Sequence, residues 1–483
     1  MSNINKYKVL LNNGIVYGIT SSLQSILGFI LLPIITNYFT TEIFGAYSLI
    51  LLLSTLASSI FYLGASSALG RFYYEIDSFD YRSNVISISI LITLLGAGLL
   101  IILSIIFANN ISIYLFKNSN YSYPIILSMI GTSLTFLTTL MSLILRYEKK
   151  AIAFLITTIF GTILNFIVTF FLLTKFNYGI LSPIIGVLLS NGLIFLTLII
   201  INRKFVKFKV KENNFFPMLS FGIQASITGL LYYILDWVDR IIIKNLLSIS
   251  DVGIYSLGYR LATIINILLI LPFTLIWAPM RMEYAKNTSN DLFVSKVVSY
   301  YSIIGISFIL FSFLFGDLVF QKIFINNSFS PAMKIFPIIM FSLFIYGYQN
   351  ILDFGIYLNK KVYIYIYISI SGIILNVILN FAIIPLFGII GAAISTLLTY
   401  FFLILLIYRI SNKLHEIKIE FNRIFYPILF TIVCYIIILF NNSILIRITC
   451  LGTGIVLFFT NWLEIQEKKL ISSKIKNLKN KII

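Results

Sequence analysis

The sequence predicts an all-α protein that crosses a membrane about fourteen times. Three observations carry that expectation: a shortage of charge, a succession of long apolar runs, and a lopsided distribution of lysine and arginine. Of the 483 residues, 59% are hydrophobic and only 11% are charged, and the mean hydropathy is +0.99. A soluble domain carries about 25% charged residues. So much apolar surface exceeds what a soluble core absorbs and must face lipid.

A membrane span needs roughly 20 apolar residues. Runs of that length place helices near 9–38, 43–70, 84–107, 121–146, 151–174, 178–201, 216–245, 252–280, 292–316, 332–357, 361–385, 388–410, 422–440 and 443–463. The weakest break, Asn441–Ser443, separates the last two. With a cytoplasmic N-terminus, 26 of the 35 lysines and arginines fall on inner segments and 6 on outer ends and loops, Arg447 among the latter. Positively charged short loops stay on the cytoplasmic side, so both termini are expected there. The net charge of +18 comes from these clusters and does not mark a nucleic-acid surface. Cys434 and Cys450 lie inside apolar runs with no disulfide or metal-ligand spacing, and His415, in a basic loop, reads as solvated.

The chain resembles itself at an offset of 208–211 residues. Asn37–Leu49 and Asn245–Leu257 share the skeleton N…G-x-Y-S-L. Further on, Gly161–Asn165 matches Gly372–Asn376, and Gly179-Ile180 matches Gly388-Ile389. An offset of six helices returns the chain to the same side of the membrane, which makes the halves parallel repeats. The expected architecture is two parallel six-helix lobes, 1–207 and 208–410, around a central cavity. Residues 411–483 add a C-terminal helix pair and a basic cytoplasmic tail.

Ionisable side chains within spans are costly and mark cavities or ion pairs. Asp236, Asp239, Arg240, Arg260 and Asp353 are of this kind. Asp236 and Arg240 are one helical turn apart and can neutralise each other. Arg260 has no acid one turn away, since Ser256, Leu257, Thr263 and Ile264 occupy those positions. It needs an acid from another helix, such as Asp239, or the phosphate of a ligand, which suits the forked guanidinium. Arg71 and Arg281 are repeat-equivalent, end helices two and eight, and are followed by Glu75 and Glu283. They read as positive-inside anchors or as receivers of an anionic headgroup. Asp353, a turn from the inner end of helix ten, reads as a proton or cation site or as the partner of an inner arginine. Pro33, Pro272 and Pro279 permit bends in helices one and eight.

The chemistry of an enzyme is missing. There is no G-x-x-x-x-G-K-[ST] loop, one histidine cannot make H-E-x-x-H, and no outer loop is long enough to house a catalytic domain.

The stretch DRIIIKNLLSISDVGIYSLGYR from Asp239 to Arg260 carries a family resemblance, as do Asn13-Gly14 through Pro33, Phe44–Ser48 and Gly70-Arg71-Phe72. With fourteen spans and a twofold repeat, the chain resembles Wzx-type polysaccharide (O-antigen or exopolysaccharide) flippases of the MOP, MATE-like exporter superfamily. The resemblance implies a non-enzymatic flippase of the bacterial inner membrane. Its cargo would be an undecaprenyl-pyrophosphate-linked oligosaccharide, carried from the cytoplasmic to the periplasmic leaflet by alternating access. It implies no cofactor beyond an H+ or Na+ gradient. The implied partners are the lipid-linked oligosaccharide, membrane lipids, and a polysaccharide polymerase with its chain-length machinery, with no nucleic acid. Rival readings are a multidrug or small-solute exporter, a lipid II flippase, and a membrane glycan polymerase or ligase, the last of which wants a large outer loop.

Cysteines placed at positions 205 and 475 are expected to react with an impermeant thiol reagent only from the cytoplasmic side. Labelling of either in intact cells would reverse the topology.

Overall fold

The structure is a computed structural model that describes residues 3–205, 214–284, 292–324, 326–361, 363–417, 419, 421–440 and 443–458. Regular structure among the described residues is entirely helical. In chain order the helices are α1 (Asn3–Tyr38), α2 (Thr41–Phe61), α3 (Ala65–Phe72), α4 (Phe79–Phe116), α5 (Ser122–Tyr147), α6 (Ala151–Thr174), α7 (Leu181–Asn202), α8 (Phe215–Leu246) and α9 (Ile249–Ala262). There follow α10 (Leu271–Tyr284), α11 (Leu292–Ile323), α12 (Ala332–Gly347), α13 (Gln349–Leu352), α14 (Phe354–Leu358), α15 (Ile364–Phe387), α16 (Ile389–Leu414), α17 (Phe421–Phe440) and α18 (Ile444–Leu457). Among the described residues, eleven helical stretches are long and apolar enough to cross a membrane. Three shorter apolar helices stand where the first, thirteenth and fourteenth spans are expected. Leu95, Ile102, Ile105 and Ile106 of α4 are more than half exposed, as lipid-facing side chains are.

Three expected spans are interrupted. The run 43–70 becomes α2 and α3 because Leu63 and Gly64 both take left-handed φ, +52° and +58°. A Cβ on Gly64 would meet the Gly222 carbonyl oxygen at 2.0 Å, so only glycine fits there. The run 252–280 widens into a π-helical turn, Asn266–Ile270, directly before Pro272. A proline lacks the N–H and collides with the carbonyl four residues back, and a wider turn relieves both defects. The run 332–357 breaks at Asp353, between α13 and α14.

By contacts the chain divides into two units. The first comprises Met1–Leu257, Phe324–Ala332 and Tyr365–Ser395; the second comprises Gly258–Ile323, Met333–Ile364 and Thr396–Ile483. In the first, α5 packs on α4 and α7, around buried Leu69, Ile88, Leu140, Ile144 and Leu198. In the second, α11 packs on α17 and α18 around Leu310, Leu314, Ile438 and the free cysteines Cys434 and Cys450.

Arg447 is expected among the outer ends and loops, within the run 443–463. It lies in the first turn of α18, wholly buried. Its guanidinium grips both oxygens of Asp317 at 2.6 Å and donates to the Leu314 carbonyl. A buried guanidinium survives because the forked pair satisfies both charges; losing one partner of such a pair costs about 3–5 kcal/mol. His415 also differs from expectation, being half-buried with its ring edge-on to Phe354 at 5.3 Å. Phe205 is buried, so the exposed Lys204 beside it is the better labelling position. The basic tail from Lys468 lies outside the described residues.

The repeat is written into the backbone. Lys149 and Lys360 share left-handed φ (+58° and +56°), as do Gly179 and Gly388 (+52° and +59°). Thr40 and Ser248, 208 apart, cap α2 and α9 by accepting the N–H groups of Ile43 and Asp251. The two copies also touch reciprocally within the first unit. A Cβ on Gly45 would meet the Ile249 carbonyl oxygen at 2.0 Å, and one on Gly253 would meet the Thr41 carbonyl oxygen at 2.0 Å. Thr41 and Ser250 share a hydroxyl hydrogen bond of 2.6 Å at the same seam.

Gly45→Leu and Gly253→Leu are each expected to cost about 3 kcal/mol or more, read as a lowered thermal midpoint of the detergent-purified protein. Gly28→Ala, which meets nothing within 4 Å, should leave that midpoint unchanged or higher.

Candidate functional site

The helical hairpin of α8 and α9 turns at Leu247-Ser248, and Ser248 accepts the Asp251 N–H while donating its hydroxyl to the Asp251 carboxylate at 2.6 Å. This cap fixes the register of the hairpin, so that Asp239 and Arg240 of α8 face Tyr255 and Ser256 of α9. The Tyr255 hydroxyl donates to Asp239 Oδ2 at 2.8 Å. Arg240 Nε donates to Ser256 Oγ at 3.4 Å, and its guanidinium lies 5.5 Å over the Tyr255 ring. From α15, Asn380 Nδ2 donates to Asp239 Oδ1 at 2.7 Å and to Asn376 Oδ1 at 3.0 Å.

All of these side chains are buried, and Asp239 is 2% exposed. A carboxylate in such surroundings persists as an anion only when donors or a cation compensate it. Tyr255, Asn380 and the nearby Arg240 do so here. Asn380 Oδ1 is buried and accepts no hydrogen bond among the described residues. The cluster therefore combines a carboxylate, an amide oxygen already in use and an amide oxygen still open. Hard oxygen ligands of this kind suit small cations.

The repeat shows how this site arose. Tyr255 and Ser256 are the Tyr and Ser of the shared G-x-Y-S-L skeleton, matching Tyr47 and Ser48 in the first copy. The first-copy counterparts of Asp239 and Arg240, 208 residues earlier, are Leu31 and Leu32. At these two positions only the second copy carries charge. Asn380 was not singled out by sequence reasoning, and Asn376 only as a repeat marker. The signal for both was present: two asparagines one turn apart inside an apolar run, equivalent to Asn165 and Thr169, which also hydrogen-bond to each other.

The other candidate residues lie elsewhere. Arg260 is exposed on α9, and its guanidinium has no partner among the described residues. Arg71 is exposed on α3, and Glu75 accepts the Tyr81 hydroxyl at 2.9 Å. Arg281 donates to Asp353 at 2.7 Å and stacks 3.8 Å from the Tyr357 ring centre. Of the readings open for Asp353, the structure thus forms the one that pairs it with an inner arginine. Trp277 Nε1 donates to the Asn350 carbonyl at 2.6 Å, holding α10 against α13 so that this pair can meet. The Asp236 side chain lies outside the described residues. Just past α3, Tyr73 donates to Glu148, and burial together with that carboxylate holds its phenol well above the ordinary value.

The polysaccharide biosynthesis protein family matches residues 10–285 of the chain. No curated protein matches it significantly. Among solved structures, the lipid II flippase MurJ in an inward closed conformation is similar at a TM-score of 0.74 and 18% identity, over 93% of this chain and 100% of that one. An inward-facing multidrug resistance MATE transporter of the MOP superfamily is similar at 0.61 and 14%, over 84% and 93%. A MOP superfamily transporter from Pyrococcus furiosus, described by a reversed polarity of its binding pocket, is similar at 0.61 and 12%, over 84% and 95%. These likenesses show the fold, which is that of the MOP transporters.

Proposed function

The chain belongs to the polysaccharide biosynthesis protein family, and from that premise we propose that it is a lipid-linked oligosaccharide flippase. In this reading it moves a repeat unit of O-antigen or exopolysaccharide, carried on undecaprenyl pyrophosphate, from the cytoplasmic to the periplasmic leaflet of a bacterial inner membrane. Both termini are cytoplasmic, and a polymerase with its chain-length machinery consumes the product. The likeness in fold to a protein described as a lipid II flippase supports a lipid-borne cargo.

One observation carries the proposal: Arg260 is exposed on a helix within an apolar span and its guanidinium has no partner among the described residues. Hydrocarbon rejects such a charge, so it requires water or an anion. A diphosphate offers oxygens in the geometry that the guanidinium fork grips. The barrier to flipping is the transfer of a charged, sugar-bearing headgroup through hydrocarbon, and a fixed cation lowers it. Arg71, exposed on α3, offers an anionic headgroup a second cation.

Coupling to a gradient falls to Asp239. Binding of H+ or Na+ there neutralises a buried charge whose compensation depends on the packing of α8, α9 and α15. A conformation with different packing at this point binds the cation with different affinity. That difference is all a gradient needs in order to shift the equilibrium between states. The open Asn380 Oδ1 favours Na+, which uses several oxygen ligands, over a proton, which uses one.

Arg260→Ala is expected to abolish surface polysaccharide in a strain dependent on this protein while the protein stays in the membrane at normal abundance. Arg260→Lys should keep part of it. Full polysaccharide from the alanine variant removes the phosphate-ligand role. In proteoliposomes, Asp239→Asn should lose the stimulation of flipping that an imposed Na+ gradient gives to the parent protein. Stimulation retained in that variant, or produced only by a pH gradient in the parent, rejects the Na+ assignment.

A further inference from the structure

Within the first unit, α2, α4 and α5 enclose an apolar groove of about 420 Å³ whose wall includes Leu53, Phe61, Leu103, Phe107, Met129 and Tyr114. Along α4 it runs from Leu100 to Tyr114, about 21 Å at 1.5 Å per residue. It ends at a pair of lysines. Lys244 of α8 donates to the Tyr114 carbonyl at 2.9 Å and sits 5.1 Å over the Tyr114 ring. Lys117, three residues past Tyr114, terminates α4 with a left-handed φ of +58° and donates its backbone N–H to the Ile113 carbonyl at 2.9 Å. Neither lysine forms an ion pair among the described residues.

Two lysines without a carboxylate partner at one end of an apolar trough offer an anion a place to bind. We propose that the trough holds an anionic phospholipid of the phosphatidylglycerol type, in the leaflet reached by the C-terminal end of α4. Its phosphate lies between Lys117 and Lys244, and one acyl chain lies along α4. The charge complementarity selects against zwitterionic lipids, whose own ammonium the lysines repel. The length of the trough is on the scale of one leaflet, roughly 15 Å of a ~30 Å hydrocarbon core. That matches an acyl chain and falls far short of an extended polyprenyl chain. Tyr114, exposed beside the lysines, is the residue type that favours the headgroup boundary. The site is independent of the transported cargo and of the gradient, and a failure of either leaves this proposal standing.

The test is native mass spectrometry of the detergent-purified full-length protein titrated with phosphatidylglycerol or phosphatidylcholine. The parent protein is expected to bind phosphatidylglycerol at least tenfold more tightly than phosphatidylcholine. Lys117→Gln/Lys244→Gln should lower phosphatidylglycerol affinity roughly 30-fold, at about fivefold per lysine near a phosphate, and abolish the preference. Leu103→Trp, which fills the trough from a half-buried position, should weaken both lipids with the lysines intact, so the proposal remains testable should the double variant fail to fold. Equal phosphatidylglycerol binding by the parent and the lysine variant overturns it. So does displacement of bound phosphatidylglycerol by an equimolar polyprenyl phosphate, which would make the polyprenyl lipid the occupant.

Discussion

Hydrocarbon offers a hydroxyl, an amide or a carboxylate nothing to bond to, and the polar side chains of this chain are arranged by that shortage. Most solve it locally. On α4 the hydroxyls of Ser87, Ser89 and Thr93 each donate to the carbonyl four residues back, which hides them within their own helix. Groups too large or too charged for that solution are matched between helices. Asp239 takes donors from α9 and α15, and Asp353 takes a guanidinium from α10. Where polar groups meet in this way, helices that would otherwise slide on apolar surfaces acquire a fixed register.

The two copies of the repeat use one backbone for different ends. Thr40 and Ser248 cap equivalent helices, and Gly45 and Gly253 bring those helices to backbone contact by the same device. The copies part where chemistry begins. Around Tyr47 the first copy is apolar and aromatic, with Phe39 and Phe44 nearby. The equivalent Tyr255 holds a carboxylate. The same caps and close approaches thus frame an aromatic contact in one copy and a charged cluster in the other.

Much of the fold was legible from apolar run length, and the two-copy organisation from a handful of polar residues, because lipid makes both signals strong. The interruptions were harder to read. Leu63 in a left-handed conformation has no compositional mark, and the break after it is imposed by the close backbone of Gly222. Asp353 was recognised as anomalous, but its partner Arg281 lies 72 residues away, and periodicity cannot supply such a pairing. Arg447 counted only as an outer charge, because nothing in the sequence pairs it with Asp317, 130 residues earlier. Asn376 and Asn380 were passed over because an amide carries no formal charge, although their burial beside Asp239 gives them an equal part in the site.

The Arg447–Asp317 clamp bears on how the protein is made. Asp317 leaves the ribosome 130 residues ahead of its guanidinium partner, which at 5–20 residues per second means roughly 6 to 26 seconds. Throughout that interval α11 carries a carboxylate that bilayer lipid will not accommodate. The C-terminal end of α11, where the Asp317 side chain is still 31% exposed, can meet that need with water until α18 follows. A chain that stops before α18 leaves this acid without its guanidinium.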